Sequence, residues 1–404
     1  MKILMIKRES VCYSVLDYFL GSLKKGLEEN DAEVNILDVS DDPLDLPDRD
    51  ILTDISKQGY DAVLTFNAVG QQNYAINGSN FWDSLNIPFI NYIVDHPLQH
   101  NKDLSEHGEN YYVICIDKNH VDYINNYYPK IRNKAFFVPL GGLENEGFSI
   151  DGYSEPDFKK RSIDLLFTGS FLPLRSLEEK INEYPQAVRR LIIRHIEYML
   201  ENRMMTLEEG LINVLRDYGI DIEGINLKEY LFATRPTEGY VRAYIREEIV
   251  RYLIASGINM HIYGNGWELF DDDLKNTVCH AGIPYNDLAD IYMDSKIILD
   301  QSSQFLYGMH DRIPSAMFTG AAVLTDRNDY LGSIFTEGLA EGELCMYDVS
   351  KPFEVPDVAN EMLEDSDRLF NMTLRAYNKA AGELTWNRRA CEIIEILNSI
   401  LESK

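Results

Sequence analysis

Short apolar runs alternate with helix-period segments along this chain, and that alternation restricts its fold more than any other feature. Residues 2–6 (KILMI), 33–37 (EVNIL), 61–66 (DAVLTF), 88–94 (PFINYIV), 111–116 (YYVICI) and 136–140 (FFVPL) are apolar stretches of strand length. Between the first two, Leu16, Phe19, Leu20, Leu23 and Leu27 recur at helical spacing over 15–29, and 81–85 and 120–127 read as short helices. Strands apolar on both faces need helices over both faces. The pattern therefore predicts a parallel, doubly wound α/β sheet.

Gly141-Gly142 closes that series, and residues 143–160 are polar, acidic and turn-rich, as expected of a domain boundary. A second series follows at 163–168 (IDLLFT), 259–263 (NMHIY), 296–299 (KIIL), 322–325 (AVLT) and 344–347 (LCMY), with helices expected at 285–293 and 312–319. It is interrupted by residues 174–256, which read as helices over 175–202, 206–218, 226–233 and 237–256. A block this long exceeds one crossover, so it reads as a helical insertion. Residues 387–402 form a further amphipathic helix. The expected organisation is a first domain at 1–145 and a second at 161–386, each a doubly wound parallel sheet. In such sheets ligands bind beyond the carboxyl ends of the strands, which suggests an enzyme.

Charge narrows the function classes. Of the 404 residues, 38 are Lys or Arg and 66 are Asp or Glu, a net charge of −28. Such a chain repels phosphate backbones and anionic lipid surfaces, which argues against a nucleic-acid or membrane-surface partner. With 45% hydrophobic residues the chain still has ample material for large cores. Its five cysteines are scattered, with no C-x-x-C pair, as in a reduced cytoplasmic protein. MKILMIKRES lacks a signal peptide's apolar region, and no run reaches the length of a membrane span.

Four segments carry candidate chemistry. Gly169-Ser170 follows the strand at 163–168, where a glycine admits a ligand to the backbone and a hydroxyl can bond a phosphate; the alternative is an ordinary strand-ending turn. Tyr263-Gly264-Asn265-Gly266-Trp267 is a tight turn after another strand, or simply a turn anchored by one of three tryptophans. It is not a dinucleotide fingerprint, because Leu269 stands where that motif requires glycine. Tyr307-Gly308-Met309-His310-Asp311-Arg312-Ile313-Pro314-Ser315 is a polar loop entering a helix. Helix N-termini attract anions, and Arg312 offers a cationic fork for a diphosphate; a surface Arg–carboxylate pair is the alternative. Asp95-His96-Pro97 ends a strand, placing a carboxylate and an imidazole where a general base could stand; a capping Asp and a packed His is the plainer reading. Asp271-Asp272-Asp273 reads as a solvated helix start, and no residue spacing calls for a metal.

The segment G-x-x-D-R-I-P-S-A-M-x-x-G-A-x-x-L-T-D at 308–326 resembles the signature of group 1 glycosyltransferases of the spore maturation protein CgeB-like type. I-Y-G-x-G-W-E at 262–268 and V-D-H-P at 94–97 are similar to segments of the same family. The resemblance covers most of the chain and is strongest over 258–330. It implies a GT-B fold: two Rossmann-like domains, the first on the acceptor side and the second binding a nucleotide-sugar donor, with helix 387–404 returning to the first. By the same resemblance Gly169 and Ser170 would face the donor phosphates, and Tyr263, Gly264, Gly266 and Trp267 would line the donor pocket. Gly282, Ile283 and Tyr285, in a loop like the family's base-contacting one, would meet the nucleobase. Tyr307, His310, Asp311, Arg312 and Ser315 would clamp the diphosphate.

Retaining enzymes of the glycogen-synthase-like type carry Glu-x7-Glu here, and Tyr307 and Ser315 occupy those positions. The stereochemical outcome is therefore left open, and an inverting transfer would use Asp95 or His96 as its base. The implied activity moves a sugar from a nucleotide-sugar, UDP by family default, to a hydroxyl on a protein, glycan or cell-surface component, with no cofactor and no metal. A GT-B-shaped epimerase or phosphorylase and a non-catalytic sugar-nucleotide-binding subunit stay open as alternatives, as does a homo-oligomer.

Overall fold

Each strand series closes into one six-stranded, all-parallel sheet. The first comprises β1 (Lys2–Arg8), β2 (Glu33–Val39), β3 (Ala62–Phe66), β4 (Phe89–Ile93), β5 (Tyr111–Cys115) and β6 (Ala135–Phe137). Its order is β2-β1-β3-β4-β5-β6, with Ile3 in register with Val34 on one side and Ala62 on the other. Ile3, Leu4, Met5 and Ile6 are all buried, which is why this run is continuous rather than alternating. The second sheet comprises β7 (Ile163–Thr168), β8 (Met260–Tyr263), β9 (Thr277–His280), β10 (Ser295–Leu299), β11 (Ala322–Asp326) and β12 (Cys345–Tyr347). Its order is β9-β8-β7-β10-β11-β12, the doubly wound order of dinucleotide-binding domains.

The computed structural model describes residues 1–8, 12–39, 49–71, 75–76, 79–145, 147–270, 273–302 and 305–403. They divide into two compact units, 1–141 with 384–404 and 142–383. In the first unit, helix Val15–Glu29 buries Phe19, Leu20, Leu23 and Leu27. The C-terminal helix Trp386–Glu402 packs along it, with the Trp386 ring 5.1 Å from Phe19 and 6.5 Å from Phe66. In the second unit one core lies along a single face of the sheet, where Leu165, Phe167, Met260, Ile262, Ile297 and Leu299 point to the same side, and it reaches from Phe158 to Met362 and Leu369.

Several elements differ from their sequence expectation. The helix expected over 175–202 is two, Leu174–Asn182 and Gln186–Glu201, because Pro185 lacks the N–H that would continue the ladder. Helix Pro236–Ser256 buries Ile245, Ile249, Val250, Leu253 and Ile254 in the sheet core. It is therefore the crossover from β7 to β8, and the inserted material is the four helices before it, Leu174–Asn182, Gln186–Glu201, Leu207–Asp217 and Leu227–Ala233. The first two of these share a small core of Ile181, Ile192 and Ile196, with Tyr240 of the crossover helix packed against it. Strand β9 had no counterpart in the sequence reading; it is a four-residue edge strand with Val278 exposed, so no apolar run announces it. No helix begins at Asp273, which instead accepts the Lys275 N–H in the turn before β9; Asp271 and Asp272 lie outside the described residues. Helices Arg49–Lys57, Asp329–Ile334, Val355–Glu364 and Ser366–Glu383 had no counterpart in the sequence reading.

Candidate functional site

Strand order in the second sheet reverses between β7 and β10, so their carboxyl ends diverge to opposite crossovers and leave a crevice between them. Thr168-Gly169-Ser170 leaves β7 there and Asp300-Gln301-Ser302 leaves β10. The turn after β8 packs directly on the first of these. A Cβ on Gly264 would stand 2.2 Å from the Gly169 carbonyl oxygen, and one on Gly266 would stand 2.2 Å from that of Phe171. Gly266 also has φ 92°, a region that side chains disfavour. Both glycines are therefore required by turn-on-turn packing.

Trp267 belongs to the same packing. It is buried, stacks on Phe171 at 5.0 Å, and donates its indole N–H to the Gly169 carbonyl at 2.7 Å. The structure thus places Trp267 under the turn, where it sets the path of Gly169-Ser170, and not on an open pocket wall. Tyr263 is partly exposed and stacks on His280 with ring centroids 4.2 Å apart. In the loop after β9, Gly282 donates its N–H to Asn265 Oδ1 at 3.1 Å, and Ile283 is half-buried. Tyr285 points inward; its hydroxyl donates to Asp311 Oδ2 and lies 3.3 Å from Ser315 Oγ.

The polar loop Tyr307–Ser315 is fixed from three sides. Asn328 donates to the carbonyls of Phe305 and Gly308 at 3.0 and 3.1 Å. Ser315 Oγ donates to the Asp311 carbonyl at 2.6 Å and accepts the Leu143 N–H at 2.8 Å. Tyr307 packs against Tyr330 with ring centroids 5.9 Å apart. The helix that follows, Arg312–Phe318, is only seven residues long, so its dipole contributes little and the local side chains dominate.

Those side chains form a buried charge network. Arg312 was expected to be the open cation. It is instead buried and ion-paired with Asp300, whose second oxygen accepts from Ser302 Oγ at 2.6 Å and Thr325 Oγ1 at 3.1 Å. Burial alone would lower the Arg312 pKa; Asp300, with Tyr292 and Asp311, more than offsets it. Asp326 at the end of β11 accepts the Ser302 N–H at 2.8 Å, and burial with the neighbouring Asp300 pushes its carboxyl up to about 7.

A second cation of the cluster is Arg246, on the crossover helix. It donates to the Ser170 carbonyl at 2.7 Å and to Gln301 Oε1 at 3.3 Å, so it spans the ends of β7 and β10. Among the described residues it makes no direct ion pair with a carboxylate, although Asp300 and Glu238 attract it at longer range. Burial and repulsion from Arg312 and Arg242 lower its pKa, the mark of cations gathered without full compensation. An arginine starts high enough to remain charged at neutral pH regardless. Sequence reading missed Arg246 because R-A-Y-I-R-E-E-I-V-R looks like the mixed-charge outer face of a helix. It missed Asp300 because a lone Asp after KIIL resembles any strand end.

In the first unit, Asp95 and His96 separate. Successive residues leaving a strand point to opposite sides. His96 is buried, accepts the Leu98 N–H on Nδ1 at 3.1 Å, and meets His120 edge-on with centroids 4.6 Å apart. Asp95 faces outward, accepts from Asn67 Nδ2 at 3.0 Å, and lies 3.9 Å from His100 Nε2. His100 is 3.7 Å from Asp103 as well. Burial lowers the His100 pKa, but the two carboxylates outweigh it and raise it to about 9. Beside them Asn67 and Ala68 hold φ of 49° and 59°, a conformation that non-glycine residues adopt at a cost. Among the described residues no group of three or more His, Cys, Asp or Glu converges as a metal site would. No described helix is long and apolar enough to cross a membrane.

Two parallel sheets with these orders, and this site at the second one's reversal, define the architecture of GT-B glycosyltransferases, and the comparisons agree. Residues 242–395 match the family model described as glycosyl transferase-like, a span that includes Arg246, Asp300 and Arg312. The chain superposes over 99% of its length on all of HepE from Anabaena, solved with UDP-glucose, at a TM-score of 0.53 and 12% identity. It superposes over its whole length on 98% of AviGT4, a glycosyltransferase of avilamycin A biosynthesis, at 0.50 and 12%. An α-glucosyltransferase solved with UDP and a 13-mer DNA matches 98% of this chain over 99% of its own, at 0.55 and 10%. At such identities the likeness is one of fold. No curated protein matches the sequence.

Proposed function

We propose that the chain is a glycosyltransferase that binds a nucleotide-sugar, with UDP as the favoured nucleotide, at the carboxyl edge of its second sheet and transfers the sugar to a hydroxyl acceptor. The observation that carries this reading is Arg246: a guanidinium with no carboxylate partner among the described residues, held against the Gly169-Ser170 turn in a chain of net charge −28. A diphosphate would supply the missing counter-charge, and Arg246 would stabilise the negative charge that grows on the leaving group. The glycosyl transferase-like match over 242–395 and the UDP-glucose complex of HepE favour the same class. Within it, the motifs at 308–326 and 262–268 favour the CgeB-like branch. With an arginine to meet the diphosphate, the reaction proposed needs no metal.

For the acceptor proton we assign Asp95, which faces outward, rather than His96, whose Nδ1 already accepts a backbone N–H. One observation favours a second reading. Tyr307 and Ser315 stand where retaining relatives carry two glutamates, as would suit a subunit that binds a sugar nucleotide without turning it over. A thermal-shift screen with UDP, GDP, TDP and CMP forms, followed by incubation with the matching nucleotide-sugars, separates the two. Ligand at a hundred times its Kd should stabilise by about 2.7 kcal/mol. Hydrolysis or transfer supports the transferase, binding without turnover supports the subunit, and no stabilisation by any nucleotide sinks both.

A further inference from the structure

Helix Arg312–Phe318 is only seven residues long, too short to hold its own position, so its placement comes from what packs on its ends. One stretch of chain meets both. Residues 143–160 were expected as a polar boundary, yet they belong to the compact unit 142–383 and touch this helix repeatedly. Toward its amino end, a Cβ on Gly142 would stand 2.6 Å from the Pro314 carbonyl carbon and 2.7 Å from the Ser315 nitrogen, and the Leu143 N–H donates to Ser315 Oγ at 2.8 Å. Past its carboxyl end, Gly320 has φ 66°, and a Cβ there would stand 2.5 Å from Phe148 Cζ and 2.9 Å from Tyr153 Cε1. The Tyr153 hydroxyl donates to the Gly320 carbonyl at 3.2 Å.

Arg161 completes the contact. Its guanidinium is buried and donates to the carbonyls of Ser295 at 2.6 Å, Thr319 at 2.7 Å and Tyr292 at 3.3 Å. Thr319 follows helix Arg312–Phe318 directly, and Tyr292 lies in the last turn of helix Leu288–Met293. The last carbonyls of a helix have no partner within it and carry its negative pole, so one planar cation satisfies two helix ends together. The rings of Tyr153 and Phe158 flank it at 5.1 and 5.4 Å. Burial lowers its pKa, Tyr153 and Asp294 oppose that, and an arginine starts high enough to keep its charge.

Arg161 precedes β7 and Ser295 begins β10, so this anchor sits at the amino edge of the second sheet. What the two helices carry lies at the other edge. Arg312 opens one, behind His310, whose Nδ1 is 2.8 Å from Asp311 Oδ1. The Tyr292 hydroxyl of the other lies 3.1 Å from Thr168 Oγ1 at the end of β7. We propose that Arg161 is a positioning residue for the donor edge: by tying the carboxyl ends of both helices together, and with the strap formed by Gly142, Leu143, Phe148 and Tyr153, it sets where Arg312 and Tyr292 stand. It acts only through those helices. The inference rests on the donor-site reading above for its ligand and on the helix ends alone for its geometry.

The test combines amide hydrogen exchange with calorimetric titration of UDP, both on the full chain. Arg161→Met removes the three donors at similar volume. Amides of 289–294 and 313–321 should exchange about tenfold faster or more, helix Val15–Glu29 in the other unit should be unchanged, and UDP should bind about tenfold more weakly. Arg161→Lys keeps the charge without the fork and should stay nearer to Arg161→Met than to the wild type; full recovery overturns the two-helix role. Unchanged exchange at both helix ends overturns the proposal. Faster exchange with wild-type UDP affinity overturns it as well, since Arg161 then supports the fold without positioning the site. If the wild-type chain binds none of UDP, GDP or TDP, the donor-site reading fails, and exchange at the two helix ends still decides whether Arg161 holds them. Should Arg161→Met not fold, Tyr153→Phe removes only the bond to the Gly320 carbonyl. It should speed exchange over 313–321 alone and weaken UDP by about threefold, and no change in either overturns the strap.

Discussion

The carboxyl edges of the two sheets carry opposite electrostatic arrangements. At the second, arginines converge: Arg312 is locked to Asp300, and Arg246 bridges Ser170 and Gln301 with no carboxylate in direct ion-pair contact among the described residues. At the first, carboxylates converge on one imidazole, with His100 between Asp95 and Asp103 at 3.9 and 3.7 Å. The network of the second sheet is buried, where charge is costly unless paired; that of the first is half-exposed, where solvent screens it. The difference separates two jobs that arginine does within one site. A cation paired inside the protein holds structure, and a cation left unpaired is available to a ligand.

The sharpest way to break that distinction is to remove each arginine in turn. Arg312→Ala leaves Asp300 buried and unpaired, which should cost about 3–5 kcal/mol in urea unfolding. Pairing it with Asp300→Asn should restore part of the loss. Arg246→Gln should cost only about 1 kcal/mol in stability, yet weaken UDP binding by about thirty- to a hundredfold, as for loss of a charged hydrogen bond to phosphate. If Arg246→Gln unfolds the chain while Arg312→Ala folds and loses UDP, the roles are reversed and the reading of the site changes with them.

A pH series sharpens the same comparison. The Asp326 carboxyl rises from an ordinary 3.8 to about 7 through burial and the neighbouring Asp300. Between those values the folded chain binds more protons than the unfolded one, so this group's stabilising contribution falls as pH rises from about 4 through 7. Asp326→Asn can still accept the Ser302 N–H. It should flatten that slope, gaining on the wild type at pH 8 relative to pH 5. An unchanged slope in urea unfolding at the two values would remove Asp326 from the network.

How much of this was legible beforehand follows from what each feature depends on. Buried parallel strands such as KILMI and IDLLFT announce themselves, because both faces must be apolar. The edge strand β9 does not, since Val278 faces solvent. The strand-end loops were legible for the same reason as the strands. The roles inside them were not, because pairing is a tertiary property. Nothing in D-R-I-P-S shows that Asp300, twelve residues earlier, claims Arg312. Nothing in V-D-H-P shows that Asp95 meets His100 rather than His96. Trp267 was conspicuous by rarity, and its indole proves to hold the backbone of Gly169.

The smallest expected effect lies at the first sheet. His100 is raised to about 9 by Asp103 and Asp95 against the opposing effect of burial. Its contribution is therefore fully present below about 6.5 and lost as pH rises through 9. Asp95 is half-exposed and Asp103 partly so, which keeps the contribution to about 1 kcal/mol or less. His100→Gln should accordingly lose that much at pH 6 and almost nothing at pH 10. UDP binding should be untouched, since the contact lies in the other compact unit. An equal loss at both pH values would mean that His100 acts through packing alone. The contrast between a screened acidic cluster in one unit and a buried cationic one in the other would then hold only for the second.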